Sequence, residues 1–132
     1  MSSVLADTSV WMRRSQPDVA SALGEAVETG SVLMTSAVEL ELLRTARDAR
    51  EHAELSLEYG TLRRIALNDR IERRSVAVQA ALARRGYHRG PSPVDLLAAA
   101  AAEHADAELW HCDRHFDLIA EVTGQPMRRI GR

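Results

Sequence analysis

The chain has 132 residues, a formal net charge of −2 and one cysteine. That length fits a single domain over residues 1–132 with a core needing no covalent staple, and the lone thiol, Cys112, excludes an internal disulfide and fits a reducing cytoplasm. All 17 basic residues are arginine, which excludes a P-loop lysine, a Schiff-base lysine and a lysine partner for a phosphoaspartate.

Short apolar runs alternate with longer helical patterns, as expected for a parallel sheet covered on both faces. Val4-Leu5-Ala6 reads as the first strand. Pro17 opens a helix in which Val19, Leu23, Ala26 and Val27 keep helical spacing, and Gly30 stops it. Val32-Leu33-Met34 is the second predicted strand, after which Ser36 caps a helix carrying Leu40, Leu42 and Leu43. A more polar helix is expected from Arg50 to Arg63, then a third strand at Ile65-Ala66-Leu67. Asn68 starts a long helix with Ile71, Ser75, Val78 and Leu82 on one face, and a basic loop follows between Gly86 and Gly90. Ser92 and Pro93 read as N-cap and first residue of a helix so apolar, from Leu96 to Ala102, that it must lie deep in the fold. Glu108 to Cys112 is the fourth predicted strand, Asp113 to Val122 a short helix, and Met127 to Ile130 an edge strand. The expected fold is thus α/β, a three-layer α/β/α domain around a parallel sheet of four to five strands. No apolar run approaches the ~18 residues of a membrane span, and the first residues lack the basic start and long apolar stretch of a signal peptide. A cytoplasmic protein with no membrane partner is expected.

Four acids stand where a strand ends or a helix begins: Asp7, Glu41, Asp95 and Asp113. In an open α/β sheet, carboxyl ends of strands share one crevice. Carboxylates gathered there repel one another unless a cation lies between them, and hard oxygen ligands suit magnesium or manganese. Each acid also has a plainer local role. Asp7 reads as the N-cap of the next helix. Ser36-Ala37-Val38-Glu39 fits a capping box, which ties Glu39 to the helix start and leaves Glu41 for the site, since two positions subtend about 200° on a helix. Ser92-Pro93-Val94-Asp95 fits another capping box, although a buried helix mouth calls for a cation equally well. Asp113 can cap its helix, and Asp117 lies one turn on as an alternative ligand. His111, Cys112 and His115 bring zinc to mind, but a single cysteine falls short of the four soft or borderline ligands of a structural site.

Taken in order, Asp7-Thr8-Ser9-Val10-Trp11, Glu41-Leu42-Leu43-Arg44-Thr45-Ala46, Asp95-Leu96-Leu97-Ala98-Ala99-Ala100-Ala101 and Cys112-Asp113-Arg114-His115-Phe116 resemble the PIN-domain family, in particular the toxins of VapBC toxin–antitoxin modules. The resemblance covers nearly the whole chain. It departs from the family pattern at Thr45, where glycine is common, and at Ala98, where isoleucine is common; neither touches an acid. The resemblance implies a five-stranded parallel sheet, a metal-dependent endoribonuclease, and Asp7, Glu41, Asp95 and Asp113 as its catalytic cluster. Asp7, Asp95 and Asp113 would hold Mg²⁺ or Mn²⁺, while Glu41 would bind a second ion or orient the attacking water. Ser9 would match the family's hydroxyl beside the first aspartate. A VapB-type antitoxin and a homodimer are the implied protein partners.

An RNA substrate would be held through arginine, which forks onto phosphate; the candidates are Arg13, Arg14, Arg44, Arg84, Arg85, Arg89 and Arg114. Tyr87 and His88 offer the basic loop a stacking surface. Two rivals stand beside this reading. A phosphotransferase with Asp7 as nucleophile needs a second acid close by and a later lysine, and the chain has Ser9 and no lysine. A non-catalytic PIN-like module binding RNA or protein would use the acids only as helix caps and would gain no stability from Mn²⁺.

Overall fold

Val4–Ala6 (β1) and Val32–Met34 (β2) are buried at every position, the continuous apolar pattern of strands covered on both faces. The computed structural model describes residues 2–132 and places these strands at the middle of a five-stranded parallel sheet. Its order is β3-β2-β1-β4-β5, with β3 at Arg63–Arg64, β4 at Glu108–His111 and β5 at Met127–Arg129. In register, Leu5 faces Leu33 on one side and Leu109 on the other. The chain winds outward from β1 to β3, then crosses back to lay β4 against the other side of β1. That reversal opens a crevice beyond the carboxyl ends of β1 and β4.

Seven helices flank the sheet among the described residues: α1 Thr8–Trp11, α2 Pro17–Glu28, α3 Ser36–Leu43, α4 Ala49–Gly60, α5 Asp69–Ala83, α6 Pro93–His104 and α7 His115–Thr123. The α/β/α expectation holds. Helix α6 touches β1 and β4 and is braced by α3, α5 and α7. Leu96 and the alanines from Ala98 to Ala102 are all buried, so small side chains bring its backbone close to the sheet in the residue type of highest helix propensity. Phe116 and Ile119 of α7 are fully enclosed, and Gly124 ends that helix in the left-handed region at φ 68°. Trp11 meets Tyr59 edge to face, with centroids 5.5 Å apart, joining α1 to α4. None of the helices among the described residues is long and apolar enough to cross a membrane.

Several local expectations are corrected. The third strand is Arg63–Arg64, not Ile65–Leu67. Both arginines are exposed on an edge strand, so charge rather than apolar alternation marks it, and Ile65 only donates its N–H to the Met34 carbonyl (2.8 Å) as the chain leaves the ladder. The N-cap of α3 is Thr35, with no side-chain capping bond. Glu39 therefore forms no capping box; its carboxylate takes a two-pronged bond from Arg64 (2.6 and 3.1 Å). Strand β4 stops at His111 and α7 begins at His115, leaving Cys112, Asp113 and Arg114 as a connecting turn. Helix α4 starts at Ala49, capped by Asp48, and ends at Gly60.

Candidate active site

Asp7 follows β1 directly. Its N–H donates to the Trp110 carbonyl of β4 (2.9 Å), so it sits at the sheet's reversal point. The side chain is 3% exposed. Oδ2 accepts from the Ser9 N–H (3.0 Å) and the Ser9 hydroxyl (2.7 Å), which makes Asp7 the N-cap of α1 as its sequence position implied. Oδ1 is buried and has no partner among the described residues. Burial pushes the Asp7 carboxyl above the ordinary aspartate range despite the Ser9 bonds, and the charge of Glu41 adds to the rise.

Ser9 does more than cap. Its hydroxyl oxygen also accepts the Cys112 N–H (2.9 Å), stitching the end of β1 to the end of β4.

Asp95 is the third residue of α6. It closes a true capping box: Asp95 Oδ2 accepts the Ser92 N–H (2.9 Å), and Ser92 Oγ accepts the Asp95 N–H (3.1 Å). Its carboxyl is pushed up to about 6, first by burial and then by the charges of Asp7 and Asp113. Asp113 lies in the turn after β4, where Oδ1 accepts the His115 N–H (2.9 Å). Glu41, in the second turn of α3, is half-buried and has no hydrogen bond or ion pair among the described residues.

The four sequence-selected acids are therefore brought within electrostatic reach of one another. Glu41 raises Asp7, while Asp7 and Asp113 raise Asp95. Cap and cluster are not competing explanations, because each of the three aspartates uses only one oxygen to accept a local N–H. No arginine pairs with any of them among the described residues. A buried carboxylate oxygen with no donor, among like charges, is an environment that a hard divalent cation would complete. The donor set present fits such an ion.

His115 joins this group and was passed over by sequence reasoning, which considered it only for zinc. One ligand atom from each of Asp95, Asp113 and His115 lies within 4.8 Å of the other two. Asp117, the sequence alternative to Asp113, is directed elsewhere: its Oδ1 faces His111 Nε2 at 3.9 Å. His111 is buried, and burial lowers its pKa. Its Nδ1 accepts the Asp113 N–H (3.3 Å), so the neutral ring carries its proton on Nε2, toward Asp117. Cys112 is buried and free.

The arginine candidates divide by what already occupies them. Arg13 donates to the Arg132 and Ser9 carbonyls (both 2.8 Å). Arg14 pairs with Glu58, and Arg85 with Glu121 (3.3 Å). Arg44, Arg84, Arg89 and Arg114 are exposed and carry no ion pair among the described residues.

A parallel sheet with acids collected at its reversal point defines an α/β domain with a carboxylate cluster at its crevice, and residues 4–122 match the PIN domain family. The chain belongs to the PIN-domain family. Among its relatives are two proteins of Mycobacterium tuberculosis. Ribonuclease VapC51 is 39% identical over 126 residues, covering 96% of this chain and 91% of the relative. Ribonuclease VapC18 is 34% identical over 126 residues, covering 94% and 92%. The DNA-bound VapBC structure from Salmonella typhimurium contains a chain of the same fold, with a TM-score of 0.79 at 15% identity over 98% of both chains.

Proposed function

We propose that this chain is a divalent-metal-dependent endoribonuclease, the toxin of a type II toxin–antitoxin pair, with Asp7, Glu41, Asp95 and Asp113 as its catalytic acids. The observation that carries this is the buried Oδ1 of Asp7, without a partner among the described residues, in a group of carboxylates where burial first and neighbouring acids second raise Asp7 and Asp95. Relatives named ribonucleases along nearly the full chain support the substrate class.

Asp7, Asp95 and Asp113 hold the metal, Mg²⁺ or Mn²⁺. When bound, such an ion acidifies a water and shields charge on the phosphodiester. The remaining steps fall to the chain's own groups. Ser9 fixes Asp7 through Oδ2, so Oδ1 faces the crevice in one orientation. Ser92 fixes Asp95 in the same way. Glu41, with no competing partner, accepts a hydrogen bond from the attacking water or binds a second ion. Arg44, Arg84, Arg89 and Arg114, without ion pairs among the described residues, are the guanidiniums for RNA phosphates, with Tyr87 (49% exposed), in the loop between Arg84 and Arg89, for stacking.

Solved neighbours described as VapBC complexes support a VapB-type antitoxin as partner. Leu40 (63% exposed) and Leu57 (76%), on the contacting helices α3 and α4, offer apolar surface for it. A homodimer, expected from the family, is tested by light scattering on the isolated chain.

The deciding experiment combines Asp7→Asn with metal exchange. RNA cleavage should vanish in the variant, vanish in wild type with EDTA, and return with Mn²⁺. Cleavage by a well-folded Asp7→Asn protein would overturn the assignment. The rival, a non-catalytic PIN-like module, draws on the capping bonds of Asp7 and Asp95 and the turn bond of Asp113, which is not the N-cap of α7; it requires that Mn²⁺ leave the melting temperature unchanged.

A further inference from the structure

We infer that His115 is a nitrogen ligand of the metal centre and that it tilts the site toward Mn²⁺ over Mg²⁺. The inference rests on the metal-site reading above and adds a specificity-determining residue to it.

The turn after β4 carries the argument. Asp113 Oδ1 accepts the His115 backbone N–H (2.9 Å), and this tight turn lays the two side chains beside each other. The ring's Nδ1 edge then faces Asp113 Oδ1 at 3.4 Å. The opposite edge of the ring looks toward Gly90, where a side-chain carbon would just reach van der Waals contact, 3.5 Å from His115 Cδ2. His115 is thus set beside the Asp113 carboxylate, with one of its ring nitrogens within 4.8 Å of ligand atoms of both Asp95 and Asp113. Cis ligands about ~2.1 Å from a common ion are roughly 3 Å apart, so the imidazole and Asp113 need little movement to share one. Asp7 supplies an independent sign that the crevice takes a ligand: an aspartate 3% exposed, with a buried oxygen that no group among the described residues satisfies.

Three or four carboxylates alone form an all-oxygen set, which suits Mg²⁺ and Mn²⁺ alike. Imidazole changes that balance. Mg²⁺ is a hard ion that keeps oxygen ligands and waters, whereas first-row transition ions accept nitrogen readily. Replacing a carboxylate oxygen by a neutral ring nitrogen also leaves less negative charge to hold a strongly hydrated ion. The plain alternative is a protonated His115 paired electrostatically with Asp113, with no bond to metal.

Pulsed electron paramagnetic resonance of Mn²⁺ bound to the full chain separates the two. The wild type should show modulation from a directly coordinated ¹⁴N nucleus, and His115→Asp and His115→Ala should abolish it while each still binds Mn²⁺. Calorimetric titration with Mn²⁺ and Mg²⁺ should show the Mn²⁺/Mg²⁺ affinity ratio falling by at least about tenfold in His115→Asp. Metal-free melting curves of the variants establish that they fold. Stoichiometric Mn²⁺ binding that depends on Asp95 but shows no coordinated nitrogen, or an unchanged affinity ratio, overturns the role of His115 and leaves the carboxylate site standing. Absence of any Mn²⁺ binding to wild type overturns both.

Discussion

Helix α6 carries an acid near each end, and the chain treats them in opposite ways. Glu103, in the last turn, receives a fork from Arg74 (2.7 and 3.2 Å), and that bond raises the Arg74 pKa. Asp95, in the first turn, has no cation at all among the described residues; its neighbours Asp7 and Asp113 are acids, and its own carboxyl rises to about 6. With 17 arginines available, the separation of Asp95 from all of them is a property of the fold rather than of composition. At the Glu103 end, acid and base neutralise each other on the surface and contribute little. At the Asp95 end, acids are stacked against one another in a site that the protein alone leaves electrostatically incomplete. Stability is given up where a ligand is expected, a pattern common to functional sites.

The sharpest way to break this contrast is Asp95→Asn. Removing one ligand carboxylate should lower RNA cleavage by about two to four orders of magnitude, read as kcat/KM on a single-stranded substrate. Asn can still accept the Ser92 N–H, so the metal-free protein should melt no lower than wild type, and cleavage retained by this folded variant would show that Asp95 is only a cap. Next in size is the gain from metal. Mn²⁺ at a hundred times its Kd should stabilise the wild type by about 2.7 kcal/mol, and differential scanning fluorimetry should show that gain reduced or absent in Asp7→Asn.

pH tests the same contrast without mutation. A carboxyl raised in the folded state binds protons more tightly there than in the unfolded chain. The metal-free protein should therefore lose stability as pH climbs from about 4 through about 6, the folded value of Asp95. Asp7 is shifted in the same direction by burial. Solvent reaching the crevice limits the combined effect to roughly 1–2 kcal/mol. Metal binding displaces those protons, so Mn²⁺ affinity should rise across the same window. Chemical denaturation at pH 4.5 and 7 reads the first trend, and calorimetry the second; a metal-free protein that gains stability with pH would contradict it. The smallest effect is reserved for the other end of α6. Arg74→Ala should cost about 0.5 kcal/mol and leave cleavage unchanged, and a large loss of activity there would mean the two ends communicate.

Much of the scaffold was legible because burial dictates it. The apolar triplets of β1 and β2 admit no exposed face, the alanine run of α6 belongs only at the centre, and Ser92-Pro93 with Asp95 is a complete helix start. Asp7 and Asp113 stood out because strand ends in this topology converge, and Asp95 because it opens the buried helix α6. Errors arose where tertiary partners outweigh local pattern. Glu39 sits correctly for a capping box but meets Arg64 of the neighbouring edge strand instead, a contact across 25 positions that no local window contains. Strand β3 is an edge, so its charged residues hid it while apolar Ile65 drew the assignment downstream. His115 was read only against a zinc pattern; its neighbour Asp95 is twenty residues away in sequence and adjacent only after folding. Asp117 lost its claim because helical phase turns it to His111.

The bond from Cys112 N–H to the Ser9 hydroxyl spans 103 positions, and it has a consequence in time. Asp7 emerges among the first residues synthesised, but the Ser9 hydroxyl that binds its carboxylate has no Cys112 N–H to accept until the turn after β4 exists. A growing chain that has made β1 to β3 carries two of the four acids and no crevice. Strand β4 must insert beside β1, a long-range pairing of the kind that forms late. The carboxylate cluster therefore assembles only when most of the chain has been translated, so an unfinished molecule lacks the complete set of acids.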